Sequence, residues 1–444
     1  MLNDNKKRLY RRWTDLYIFF LLGPYLVLTG NVQYSGLYAY KSFLFLYSSC
    51  AYLLLILISA VICRFKEKAS DYAHTRQAPF SAAQLFAILF FFFSLFSALL
   101  SDYPQDAFLG GSRFFGLFMI AVYCLIFLTL TFFFDAQEWQ LWTFGGAITY
   151  CCVIALLQYH GNNPLQLYAS GQHFGYNYVG YSLPFMGTIG NIDFLGTVLG
   201  IAVAACLSAL FFFRARRKWL LCIPLILSIS VLFLLHVSGA VIAILWAILI
   251  CVPVLFGTSP RKRRRFALLS ALISFGILLV VFFSGSALGQ TAHEASDILH
   301  GTVHDSYGSG RIYIWRNMLS LIREHPLFGG GPDTLFPRAA SANILFSRYD
   351  VIRNVTIVSI VDNAHNEYLD IAVNEGLPAL ISYICVLACA LRSWIKRANE
   401  PVASLCGCVL VFYVLQALFG VVSHCTTPYA LICASSLCHR KASM

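Results

Sequence analysis

One polar stretch holds the residue types best suited to group transfer. His365 stands in Ala364-His365-Asn366-Glu367-Tyr368, at the edge of an apolar run. An imidazole titrates near pH 6.5, so its neutral form can take a proton from a hydroxyl under ordinary conditions. Arg311 stands in Gly308-Ser309-Gly310-Arg311-Ile312-Tyr313-Ile314-Trp315. Its guanidinium is a planar fork that can meet two phosphate oxygens at once. Arg316, Arg323, Arg338, Arg348 and Arg353 follow in the same stretch. They point to an anionic ligand, or alternatively pair with Glu324, Asp333 and Asp350.

Several elements must position these groups. Ser309 is placed to cap a helix on which Ile312, Trp315, Leu319 and Ile322 share a face. A helix N-terminus carries free N–H groups and partial positive charge, so an arginine in its first turn suits phosphate. Pro326 helps end that helix, and Gly329-Gly330-Gly331-Pro332 reads as a tight turn. Upstream, Asn191 and Asp193 open an apolar run, where they either cap a helix or hold sugar hydroxyls. Arg113 lies between apolar runs and is a second phosphate candidate.

The rest of the chain is bilayer material. Of 444 residues, 59% are hydrophobic and 11% charged. A soluble domain carries about 25% charge, so a water-soluble globule and a disordered chain are both excluded. Apolar runs long enough to span lie near 14–30, 42–63, 82–100, 115–134, 141–159, 191–213, 219–235, 239–256, 266–284, 369–391, 403–422 and 425–438. The first follows Lys6, Lys7, Arg8, Arg11 and Arg12 without a small-residue cleavage site, and reads as a retained helix. With twelve spans and both termini cytoplasmic, 23 of the 31 Lys and Arg fall on the cytoplasmic side. Lys41, Arg113 and the six arginines from Arg311 to Arg353 then face outward. The basic clusters fit anionic lipid headgroups, not nucleic acid. The 15 cysteines are scattered, and none falls between Val252 and Ile384, so they read as small packing residues. The expected fold is an all-α polytopic membrane protein: helices 1–9 in 1–284, one large extracytoplasmic loop with short helices in 285–364, and helices 10–12 in 365–444.

The motifs in order resemble the O-antigen ligase and polymerase superfamily. They are Ser309-Gly310-Arg311 through Trp315, then His325-Pro326-Leu327-Phe328-Gly329-Gly330-Gly331-Pro332, then His365-Asn366-Glu367-Tyr368 with Gly376-Leu377-Pro378. Ten residues separate His365 from Gly376, as in that family. Gly187-Thr188-Ile189-Gly190-Asn191-Ile192-Asp193-Phe194 and Phe108 to Leu117 add to the likeness, which covers roughly 95–395.

The resemblance implies a GT-C-type glycosyltransferase. Its donor is a glycan on undecaprenyl diphosphate at the outer face of the cytoplasmic membrane, and its acceptor is a glycan or lipid. It implies no metal and no cofactor. His365 is then the base and Arg311 the diphosphate ligand. Arg113, Arg316, Asn191, Asp193, Asn366 and Glu367 are the further substrate-binding candidates. Ligase and polymerase both fit. A protein O-oligosaccharyltransferase is the alternative within the family, and a transporter or flippase of lipid-linked glycans the alternative outside it. One departure stands out: the family's Ser-Arg-Gly element is replaced by His236-Val237-Ser238-Gly239-Ala240, leaving His236 or Arg113 to stand in.

Overall fold

A computed structural model describes residues 4–65, 80–168, 185–350 and 355–439. Lys66, Lys68, Arg76, Arg353, Arg440 and Lys441 lie outside the described residues. In chain order the helices are α1 (Asp4–Leu22), α2 (Pro24–Val27), α3 (Tyr34–Phe65), α4 (Ala82–Leu99), α5 (Pro104–Leu109), α6 (Leu117–Phe133), α7 (Glu138–Tyr159), α8 (Ile192–Phe212) and α9 (Cys222–Leu235). Then come α10 (Ser238–Phe256), α11 (Pro260–Ser284), α12 (Gln290–Leu299), α13 (Tyr307–Glu324), α14 (Leu335–Ser341), strands β1 (Leu345–Asp350) and β2 (Val355–Ile360), α15 (Glu367–Asn374), α16 (Leu377–Lys396), α17 (Pro401–Gln416) and α18 (Thr427–Cys438).

Among the described residues, eight helices are long and apolar enough to cross a membrane: α3, α4, α7, α8, α9 with its leading turn, α10, α11 and α16. The other expected spans fall on α1 and on the shorter apolar helices α6, α17 and α18. No residue of α11 is buried, although its girth is lined by side chains such as Leu268, Leu272, Phe275 and Phe283. Such a helix is stable only where lipid covers it.

Close packing at the centre rests on small residues, as expected where helices meet without water. A Cβ on Gly200 of α8 would lie 2.0 Å from the Phe412 ring of α17. Cys151, Cys152, Cys206, Cys251, Cys406 and Cys433 are buried and free, and belong to this core.

Four expectations are corrected. First, the fold is mostly but not wholly helical. β1 and β2 form an antiparallel hairpin with Leu345 opposite Ile360, and the β-branched run Val355-Thr356-Ile357-Val358 favours that extended form. Second, 369–391 is not one helix. Gly376 at φ +91° separates α15 from α16, and a Cβ there would lie 2.3 Å from the Leu327 carbonyl oxygen. Third, the buried face of α13 is Ile314, Met318, Leu321 and Ile322, while Leu319 is exposed. The spacing 314, 318, 321, 322 fits a 3.6-residue turn and faces a small core of its own with Leu335, Ala339 and Val373. The described residues of 285–364 therefore hold the expected short helices together as a folded cap. Fourth, Lys41 does not face outward into water. It is fully buried inside α3, where its ammonium donates to the Tyr25 and Leu26 carbonyls at the end of α2.

Candidate functional site

The cap and the bundle meet around four side chains. Arg311 begins the regular part of α13, Arg113 lies in the loop between α5 and α6, Asp193 is in the first turn of α8, and His365 is in the turn before α15. Arg311 and Arg113 both lie close enough to act electrostatically on Asp193 and on His365. These side chains come from stretches far apart in sequence, and the fold makes them neighbours.

The backbone before Arg311 is unusual. Gly308, Ser309 and Gly310 all have left-handed dihedrals, with φ of +61°, +57° and +84°. Ser309 is therefore not an extended N-cap, which corrects the expected helix start. Left-handed backbone is readily adopted by glycine and costs other residues energy. The turn doubles back so that an Arg311 guanidinium N–H donates to the Gly308 carbonyl at 2.9 Å. The Gly308 N–H donates to Glu294 of α12 at 2.8 Å.

His365 is also left-handed, at φ +47°. Strain of this kind in a non-glycine residue persists only where its surroundings impose it. Here the Ala364 N–H donates to Asp370 and the His365 N–H to Asn363, each at 3.0 Å. The Trp315 indole donates to the Ala364 carbonyl, also at 3.0 Å. Asn366 caps α15 by accepting the N–H groups of Tyr368 and Leu369.

Asp333 fixes the Arg113 loop. Its carboxylate accepts the N–H of Arg113 at 3.1 Å and that of Phe115 at 3.0 Å. Burial pushes Asp333 up to about 6, against the N–H groups of Phe115, Arg113 and Gly111 that stabilise its charge. The Arg113 side chain meets Asp362 at 2.7 Å. Burial works against the Arg113 charge, but Asp362, with Tyr38 and Asp370, more than offsets it and holds the guanidinium above its ordinary value.

His365 is held down to about 4, first by burial, then by Arg311 and Arg113, with Asp362 opposing. It is therefore neutral near pH 7, the form a base needs. Three buried nitrogens of this cluster have no hydrogen-bond partner: Nε of Arg113, Nε of Arg311 and Nδ1 of His365. Buried polar atoms are nearly always paired, so these three leave the cluster able to bond to a polar ligand. Beneath Arg113 lies a cavity of about 120 Å³, lined by Asp333, Asp370 and Glu375 on its polar side and Phe90 and Phe127 on its apolar side.

The other expected site residues are placed differently. Arg316 is exposed and pairs with Asp305 at 2.8 Å. Asn191 uses its side-chain oxygen to cap α8, accepting from Asp193 and Phe194. Glu367 is buried and accepts the hydroxyls of Tyr383 and Tyr413. His236 ends α9 in a left-handed conformation, with its ring near Phe233. The three glycines pack within the protein: Gly329 lies against the Asn374 backbone, and the Gly330 and Gly331 N–H groups donate to the Val373 and Asn374 carbonyls. Arg338 caps the same end of α15, donating to Val373 and Asn374. Sequence reasoning missed Asp362 and Asp370, took Asp333 only as an ion-pair partner and read Trp315 only as a helix-face residue. A local signal was present, since three acids, Asp362, Glu367 and Asp370, crowd around His365.

Residues 223–384 match the family model described as O-antigen ligase. Among curated proteins none matches the chain. The matched stretch runs from α9 into α16 and contains Arg311, Asp362 and His365, whereas Arg113 and Asp193 join the cluster from outside it. That match bears out the resemblance seen in the motifs: residues 223–384 of this integral membrane protein are similar to the O-antigen ligase family.

Proposed function

We propose that the protein is a membrane glycosyltransferase that moves a glycan from undecaprenyl diphosphate to an acceptor hydroxyl at the outer face of the cytoplasmic membrane. One observation carries this reading: two arginines and a neutral histidine converge, each with an unpartnered buried nitrogen. In this reading twelve helices span the bilayer, both termini are cytoplasmic, and the cap lies outside.

The acceptor oxygen attacks the anomeric carbon as the bond from that carbon to the diphosphate oxygen breaks. The electron pair leaves with undecaprenyl diphosphate. Arg311 and Arg113 meet the charge that develops there, which preorganised donors stabilise more than the bound ground state. The acceptor proton passes to His365, whose Nδ1 is buried without a hydrogen-bond partner. Asp362 keeps the Arg113 fork in place and stabilises the imidazolium that forms. Asp193, in reach of both arginines, is placed to accept a sugar hydroxyl.

Reconstitution with radiolabelled undecaprenyl-diphosphate glycan and a panel of acceptors tests this. Transfer of label to a hydroxyl acceptor supports the reading, and a ladder of products distinguishes a polymerase from a ligase. Donor movement across the bilayer without any new glycosidic bond would favour a transporter instead.

A further inference from the structure

A second cavity, of about 480 Å³, lies away from the site. Its walls are apolar and come from α7, α8, α17 and α18, including Phe144, Ile201, Leu405 and Val409. Its mouth is charged: Glu138, the first residue of α7, and Arg214, just beyond α8, both line it. Neither forms an ion pair among the described residues. Asp193 and Arg214 stand at opposite ends of α8, 21 residues apart, so the mouth is about 31 Å from the site. From Phe212 to Ile201 the wall runs inward for about 17 Å. The cavity is thus a deep apolar slot with one positive and one negative group at its opening.

Apolar cavities of this kind do not hold ordered water, and leaving the walls bare forfeits their dispersion contacts. A flexible hydrocarbon chain restores those contacts, and the surrounding bilayer supplies it. The charges at the mouth select the headgroup. Arg214 suits a phosphate, and Glu138 suits a primary ammonium that can donate hydrogen bonds to it. A purely anionic headgroup would meet repulsion from Glu138. A choline headgroup would bring no N–H to donate.

We propose that this slot binds one acyl chain of a phosphatidylethanolamine-type lipid, with its phosphate at Arg214 and its ammonium at Glu138. The site is distinct from the glycan-transfer centre and does not depend on that reading.

Native mass spectrometry of the full chain in mild detergent tests it, using equal amounts of phosphatidylethanolamine, phosphatidylglycerol and phosphatidylcholine. One phosphatidylethanolamine per protein is expected to remain bound in preference to the others. Glu138→Gln should lower the preference for ethanolamine over choline by about fivefold, the size of one exposed ion pair. Arg214→Ala should weaken retention of all three lipids. Ala205→Trp, filling the slot, should abolish retention, and Ala205→Leu should weaken it if the larger ring prevents folding. Equal retention of the three lipids by the wild type, no retention at all, or an unchanged preference in Glu138→Gln would overturn the proposal.

Discussion

The indole N–H of Trp315 donates to the carbonyl of Ala364 across 3.0 Å. This single bond ties the helix that begins at Arg311 to the residue before His365. Trp315 is four residues beyond Arg311, so both lie on one side of α13. The distance between the proposed diphosphate ligand and the proposed base is set through it.

Trp315→Phe keeps most of the ring and removes the donor. The Ala364 carbonyl is then left unpaired in a buried turn, a cost of about 1–3 kcal/mol. Turnover should fall about tenfold or more with little change in donor KM, because geometry is lost and charge is retained. Single-turnover kinetics on reconstituted protein measures this. An unchanged rate constant would show that the bond does not set the geometry.

Arg311→Ala should slow transfer by ~10²–10³, the effect of deleting one preorganised donor. His365→Ala should cost ~10²–10⁴, the usual range for a general base. Arg311→Lys keeps the charge but loses the fork, so it should recover only part of the rate. Folding is followed by size-exclusion profile and melting temperature. Wild-type turnover in either alanine variant removes that residue from its proposed role.

The pH dependence follows from the charges around His365. The neutral imidazole is the active form, so activity is present above its pKa and lost as pH falls through it. In the free protein that value is about 4, which sets the acid limb of kcat/KM. A bound diphosphate offsets Arg311 and Arg113, so the acid limb of kcat should lie higher. Asp362→Asn removes the one charge that opposes the arginines, so its kcat/KM limb should move to lower pH. The same change releases Arg113 from its 2.7 Å partner, so donor KM should rise. Asp362→Glu should restore both in part. An acid limb unmoved by Asp362→Asn would mean that Asp362 does not act on His365.

The sequence made some of this legible and hid the rest for physical reasons. Composition and basic clusters indicated a polytopic membrane protein because bilayer insertion depends on local hydropathy and charge. Arg311 and His365 were visible because each stands in a short motif of unusual residues. Asp362, Asp370 and the bond of Trp315 to Ala364 were not, because these roles exist only through contacts across long sequence separations, such as Asp362 with Arg113. Ser309 and Ile312 were misread for a local reason. A Gly-Ser-Gly run resembles a helix cap, but here it folds as three left-handed residues that rotate the start of α13. The break at Gly376 was also hidden, since an apolar run reads as continuous unless one glycine is forced to positive φ.

Gly310 gives the most local test of this geometry. Its φ is +84°, and a Cβ there would lie 2.1 Å from the ring of Phe346 on β1. Gly310→Ala therefore faces two separate penalties, left-handed strain of about 1–2 kcal/mol and a clash with the hairpin. Both act one residue before Arg311, so kcat/KM should fall toward that of Arg311→Ala. Gly308→Ala meets only ordinary contact, 3.4 Å to Arg311 Cβ, and should show the strain penalty alone. Adding Phe346→Ala to Gly310→Ala removes the clash but leaves the strain. The double variant should then recover activity to about the level of Gly308→Ala. A double-mutant cycle in kcat/KM, with melting temperatures alongside, separates the two effects. If Gly310→Ala alone retains full activity, the left-handed turn does not place Arg311, and its role in positioning the guanidinium must be abandoned.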